Sequence, residues 1–344
     1  MSSHGFVWRA AGFSLRFRPQ ALLANLWLLL ALVLAAVLSL GLGSHAIAPG
    51  TVLAWLSLGD IGWTPSVILG QLRAPRLALA MLSGAMLALA GGLTQHVTRN
   101  GLADPSLIGV KAGAALCIVA LILAFPAAPL GLRPVIGLAG GLAAGLAVGF
   151  LARGTSPLTF VMIGFGLSWC LSSVLVVLLT SADIRSLQRV MLWLAGSLEG
   201  ADWPGVQLAS LILIVASAII LSLARHAELD DIGAEKAATL GVRQAWLRSL
   251  CLCAVVLLVA GAVSVVGGLG FVGLIAPHLA RLLPRQSLRS RLVSAMLIGA
   301  LLVLSADLAG AMLFLPIRLP VGIPLAMIGA PMLILLLWLR RNRI

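Results

Sequence analysis

Apolar runs of about 18–24 residues recur along almost the whole chain, and they constrain its fold more tightly than any motif does. They fall at 21–42, 77–97, 107–125, 135–152, 158–179, 206–224, 249–266, 267–283, 292–315 and 321–339. A run of that length crosses roughly 30 Å of hydrocarbon when it is helical. In hydrocarbon every backbone N–H and C=O must find its partner within the protein, which makes a chain of such runs helical. A soluble fold is excluded by composition, since only 10% of the 344 residues are charged, against roughly 25% in an ordinary soluble domain. The pattern predicts an all-α, polytopic membrane protein with about ten transmembrane helices, in a single domain covering residues 1–344.

Charge decides which runs cross. The segment 267–283 is the weakest of the ten, being short, glycine-rich and interrupted by Pro277. If it crosses and the N-terminus is cytoplasmic, sixteen of the 23 Lys and Arg fall inside. Six fall outside (Arg73, Arg76, Arg133, Arg185, Arg189 and Arg318), and Lys111 sits just within a span. If it does not cross, the Arg281 to Arg291 cluster and the Arg340-Arg341-Asn342-Arg343 tail both move outside, against the positive-inside bias. Ten spans with both termini cytoplasmic therefore fit best. Arg9, Arg16 and Arg18 precede the first run, whose length exceeds the 7–15 apolar residues of a cleavable signal and reads as a retained span.

The net charge of +13 does not indicate a nucleic-acid partner, because the basic residues lie in short segments between spans and tyrosine is absent. Cys117, Cys170, Cys251 and Cys253 all lie inside apolar runs without CxxC spacing and read as small core residues. Gly137, Gly141 and Gly145 have the small-xxx-small spacing that lets helix backbones approach in lipid. Two non-spanning stretches stand out. Outside, 180–204 is amphipathic and carries Trp193, Glu199, Asp202 and Trp203; inside, 225–248 has a helix–turn–helix pattern with Gly241 as a helix stop.

Five collinear segments carry a resemblance. From Gln71 to Ala114 the chain reads QLRAPRLALAMLSGAMLALAGGLTQHVTRNGLADPSLIGVKAGA, followed by WLAGSLEGADW (Trp193 to Trp203) and GAEKAATLGV (Gly233 to Val242). FVGLIAPHLAR (Phe271 to Arg281) and LPVGIPLAMIGAPMLILLL from Leu319 complete the set. Over essentially its full length the sequence resembles the FecCD/BtuC family, the permease subunits of type II ATP-binding-cassette importers for ferric siderophores, haem and vitamin B12. The ferric-siderophore permeases are the nearer likeness. The resemblance implies a BtuC-like fold in a bacterial inner membrane, with a second permease subunit (identical or a sibling) around a central pathway. It also implies a pair of ATPase subunits beneath and a periplasmic substrate-binding protein above. This chain is then not an enzyme and binds no cofactor; ATP and Mg belong to the ATPase. The residues agree to the extent that no GxxxxGK[ST] phosphate loop is present.

The same resemblance assigns roles. Arg73 and Arg76, at the outer mouth of the second span, would dock carboxylates of the binding protein; their bland reading is that of interfacial anchors. A third docking arginine of some members is replaced here by Ala311, and Arg318 a few residues later is its candidate substitute. Gly233, Glu235, Ala237, Leu240, Gly241 and Val242 match the region that couples to the ATPase. Asn100 and Leu102, with Pro157 and Leu158, match the cytoplasmic narrowing of the path. The sequence departs from the family there, with Gly101 in place of a usual proline and Lys111 in place of a small or amide residue. Asp307, the one acid well inside a span, reads as a paired structural ion more readily than as a proton carrier. Pro277 and His278 read as structural, and no residue cluster has metal-ligand spacing, so any iron arrives already chelated.

The alternatives are a haem or cobalamin permease of the same family, an ion-coupled secondary transporter, or an intramembrane enzyme. The last two need repeated buried acids or a catalytic constellation within the spans, and neither stands out.

Overall fold

The computed structural model describes residues 6–10, 13–17, 19–43, 47–59, 61–129, 131–230, 239, 243–284, 287–314 and 317–340. It opens with a two-stranded antiparallel hairpin, β1 (Phe6–Ala10) and β2 (Phe13–Phe17), with Phe6 opposite Phe17 and Ala10 opposite Phe13. The other described elements are helices: α1 (Pro19–Gly41), α2 (Pro49–Leu56), α3 (Trp63–Val67), α4 (Ala74–Val97), α5 (Val110–Ala124), α6 (Leu132–Leu151) and α7 (Pro157–Thr180). There follow α8 (Ile184–Leu194), α9 (Trp203–Asp230), α10 (Gln244–Val266), α11 (Val272–Leu282), α12 (Leu288–Met312) and α13 (Gly322–Arg340). Among the described residues seven spans are long and apolar enough to cross a membrane, and three shorter apolar helices lie in α5, α11 and α13. These correspond one to one with the ten apolar runs of the sequence.

α4 is the axis of the bundle and packs against α9, α10, α11 and α12. Lipid tails give helices no hydrophobic reason to associate, so close backbone packing has to hold them together. Glycines provide it. A Cβ on Gly84 would sit 2.3 Å from the Gly299 carbonyl oxygen of α12, and one on Gly91 would sit 1.8 Å from the Gly273 oxygen of α11. Pro277 has no N–H to offer that Gly273 carbonyl, which instead faces α4. The Gly137, Gly141 and Gly145 stripe of α6 packs on α10, where added Cβ atoms would meet Ser264, Ala260 and Val256. By contrast only 6% of the Thr159–Thr180 span of α7 is buried within the chain.

Two departures from regular helix shape the ends of the bundle. Residues Ile68–Arg73 form a π-helical turn that fuses α3 and α4 into one 35-residue run, Trp63–Val97. The Ala74 N–H bonds back five residues to Leu69, immediately before Pro75, which has no N–H and would press on the carbonyl four residues earlier in an α-helix. The second departure is the 267–283 segment. α11 has 11 residues, roughly 16 Å of helix, and is preceded by the non-helical stretch 267–271. Gly267 there has φ 78, and a Cβ on it would sit 2.2 Å from the Trp193 carbonyl oxygen. The stretch begins where Val265 lies beside Gly205, near Leu79. It hands over to α11 at Gly273, beside Leu87 in the middle of α4 and Pro105 beyond that helix, and α11 then runs on to Arg281, which lines one cavity with Arg99. Helix and stretch together thus cover the distance that α11 alone does not.

Candidate functional site

One end of the bundle gathers the arginines that the charge count assigns to the outside. Arg76 projects from the first turn of α4 and grips Asp307 of α12 with two nitrogens: Nη2 to Oδ1 at 2.6 Å and Nε to Oδ2 at 3.0 Å. The carboxylate is 7% exposed. A charge at that depth persists when it is paired, so this fork ties the start of α4 to the last turns of α12. Arg73, at the end of the π turn, donates from Nη1 to the Leu40 carbonyl at the end of α1. Its other terminal nitrogen lies near that of Arg318: a Cβ placed on Gly43 would be 3.1 Å from Arg73 Nη2 and 3.3 Å from Arg318 Nη2. Arg73, Arg76, Glu199, Asp307, Ala311 and Arg318 all line one open cavity of about 350 Å³. Arg73 of the π turn and Arg76 of α4 therefore share a cavity but serve different partners, and Arg318 stands in the same cavity as Ala311.

The wall of that end is the 180–204 stretch. Asp183 caps α8, accepting from the Arg185 and Ser186 backbone N–H groups at 3.1 Å. Hydrogen bonds from Ser186, side chain first, hold its carboxyl below the usual carboxylate range. Trp203 Nε1 donates to the Gly70 carbonyl of the π turn at 3.0 Å, and Gly322 N donates to Gly196 O at 3.1 Å. Lys111, which the family pattern brought into question at the cytoplasmic narrowing, lies instead against the break between α10 and α11. Its Nζ is 3.4 Å from the Gly268 carbonyl, and the Ser197 N–H meets Val266 O at 2.9 Å. Carbonyls freed by a broken helix inside a membrane need such donors.

The opposite end holds the remaining candidates. α9 starts at Trp203, beside the π turn, and runs 28 residues, about 42 Å, to Asp230. α10 returns from Gln244, and His226 and Trp246 meet edge-on at 6.5 Å where the two helices face each other. α9 therefore ends, and α10 begins, at the end of the bundle away from Arg73. The candidate coupling residues between them, Gly233, Glu235, Ala237, Leu240, Gly241 and Val242, lie outside the described residues. Asn100 caps a short turn by accepting the Leu102 N–H at 2.9 Å, and both residues are exposed. α7 begins at Pro157, capped by Ser156, which accepts from Thr159 N. It packs against the 3₁₀ turn Pro105–Ile108, which follows the Asn100–Leu102 turn in the chain. His278 is buried in α11, and the described residues contain no metal-binding group of His, Cys, Asp or Glu. The cysteines form no disulfide.

Sequence reasoning missed the Trp203–Gly70 bond, the π turn and the Lys111 contact. The π turn had a signal in Pro75 inside an apolar context; the other two depend on tertiary approach and had none.

Among the described residues, ten apolar helices, with an arginine-lined cavity at one end of the bundle and a paired helix return at the other, make this a multi-pass membrane protein. Residues 30–339 match the FecCD transport family, and the chain belongs to that family. It is 37% identical over 347 residues to the achromobactin transport system permease protein CbrC of Dickeya dadantii, covering 98% of each chain. It is 35% identical over 312 residues to the Fe(3+) dicitrate transport system permease protein FecD of Escherichia coli, covering 91% of this chain and 97% of that one. Permeases named for hemin in Yersinia pestis and for cobalamin in Halobacterium salinarum also match. A solved structure described as an inward-facing metal-chelate-type ABC transporter superposes with a TM-score of 0.81 at 32% identity, covering 91% of this chain and 98% of the other.

Proposed function

We infer that this chain is the membrane-spanning permease subunit of an ATP-driven importer, moving a ferric siderophore or related iron(III) chelate across a bacterial inner membrane. The observation that carries the reading is full-length similarity to iron-chelate permeases, 37% identical to one named for achromobactin and 35% to one for ferric dicitrate. In this reading Arg73 and Arg318 offer clustered positive charge to carboxylates on a periplasmic binding protein. Arg76 holds the rim by way of Asp307. The segment containing Gly241 is gripped by a separate ATPase at the other face, which rocks the helices to alternate access. Asn100, Leu102, Pro157 and Leu158 narrow the cytoplasmic end between strokes. Both termini are cytoplasmic, a second permease subunit packs on the sparsely buried α7, and the chain itself carries out no catalysis. Haem and cobalamin are the competing cargoes, since relatives named for both match.

The test is reconstitution of the chain with its ATPase in liposomes, followed by uptake of labelled ferric siderophore, haem and cobalamin. ATP-dependent accumulation of the iron chelate alone is expected. Accumulation of haem or cobalamin instead replaces the cargo, and uptake driven by an ion gradient without ATP overturns the mechanism.

A further inference from the structure

Lys111 brings a charge into the apolar helix α5, of which it is the second residue. Its ammonium donates to the Gly268 carbonyl at 3.4 Å, a long hydrogen bond, and it makes no ion pair among the described residues. Asp104 attracts it through space, but that carboxylate accepts from the Ser106 N–H and stays beyond ion-pair distance. An ammonium has three donors, so two remain for something else. Its neighbours set its depth. The 267–271 stretch runs between the levels of Leu79 and Leu87 on α4, so Gly268 lies one to three turns inward of Arg76. Lys111, Leu194, Gly268 and Gly270 are each half-buried, and a Cβ on Gly270 would meet nothing within 4 Å.

Non-helical backbone at membrane depth is stable where it is buried in protein or lines a water-filled cavity. Half-exposed backbone beside a half-exposed ammonium fits the second case. An ionisable side chain within a span likewise marks a path for ions or solutes. The importer reading supplies the solute, and the role of Lys111 rests on it. An anionic chelate passing between apolar walls sheds hydration and calls for an opposite charge, whereas a neutral chelate does not. Lysine offers a compact point charge without a planar fork, suited to one oxygen at a time. A single contact of that kind also lets go, as passage through a pore demands. We propose that Lys111 lines the translocation path and that its ammonium engages a free carboxylate of an iron(III) chelate in transit, favouring carboxylate-bearing chelates over neutral ones. The residue is a departure from the family pattern, as one that sets cargo preference within a family would be.

The test uses the permease in liposomes with its ATPase and binding protein, supplied with ferric dicitrate or with a neutral iron(III) tris-hydroxamate. Lys111→Gln, which keeps a donor for the Gly268 carbonyl, should lower ferric dicitrate uptake about tenfold without changing the unfolding temperature or any hydroxamate uptake. Lys111→Arg should restore most of the dicitrate uptake. Wild-type uptake of ferric dicitrate by Lys111→Gln overturns the proposal. So does an equal loss of both chelates, or a loss that comes with a lower unfolding temperature and is not restored by Arg, since Lys111 then does no more than hold the break. A second measurement leaves Lys111 in place. With the native cysteines replaced, Gly270→Cys in the assembled importer should react with a small anionic thiosulfonate and be protected by ferric dicitrate; absence of reaction overturns the proposal. Wild type that takes up the hydroxamate but not ferric dicitrate overturns the role of Lys111 and leaves the iron-chelate reading standing. Uptake of neither chelate sinks both.

Discussion

Arg76 and Asp307 meet in the arginine-lined cavity at one end of the bundle, and their geometry explains why two charges persist there. The fork satisfies both oxygens of a carboxylate that is 7% exposed. Removing one partner leaves the other buried and uncompensated, so Arg76→Ala should destabilise the protein by about 3 kcal/mol or more. The double replacement Arg76→Met with Asp307→Leu should restore most of that loss, and thermal unfolding in detergent measures both. Arg318 stands differently, close to Arg73 with like charge. Arg318→Glu should leave the unfolding temperature nearly unchanged and weaken capture of the binding protein about tenfold, read by surface binding assays. Unchanged affinity in both Arg318→Glu and Arg73→Glu would remove the docking role from this cavity. An intramembrane acid near several arginines invites pairing from sequence alone. Which arginine answers it depends on how α4 rotates before Pro75, and sequence spacing does not contain that.

At the scale of elements, the helix contacts are set by where side chains are absent. Gly91→Ala puts a Cβ against the backbone of Gly273, which has no flexible atom to yield, and should cost about 1–3 kcal/mol in stability. Gly149→Ala meets nothing within 4 Å and should be neutral or slightly stabilising on the same assay. The π turn makes a separate forecast. Pro75→Ala restores the missing N–H and lets Ile68–Arg73 relax to α-helix, turning Arg73 away from Leu40 while Arg76 keeps Asp307. Binding-protein affinity should fall without loss of fold. The ten apolar runs and the glycine stripe of α6 were legible because lipid imposes them directly on composition. The helix from Trp63 to Arg73 was not, because Arg73 and Pro75 read as the edge of a span. The 267–283 segment announced its weakness through glycines and Pro277, but the stretch before α11 is held by Lys111 and Ser197 from distant parts of the chain. The hairpin of β1 and β2 had a signal in two short runs around Ala11-Gly12, but Arg9, Arg16 and Arg18 there read as the basic flank of the first span.

At the scale of the whole molecule, the arginine cavity and the turn between α9 and α10 mark opposite ends of one bundle. α9 connects the π turn beside Arg73 to the feet of the helix pair that carries the Gly241 segment, and its 28 residues exceed what the hydrocarbon requires. A partner that brings cargo and a motor that burns ATP would then act on opposite faces of one bundle built on α4. The direct measurement is sidedness in intact cells. In a chain whose four native cysteines are replaced, Ile317→Cys beside the arginine cavity and Gly241→Cys in the inter-helix segment are challenged with a membrane-impermeant maleimide. Labelling at position 317 from outside, and at position 241 only after the membrane is permeabilised, is the expected result. Labelling of both positions from the same side contradicts the arrangement of a docking face and a motor face on which the importer reading depends.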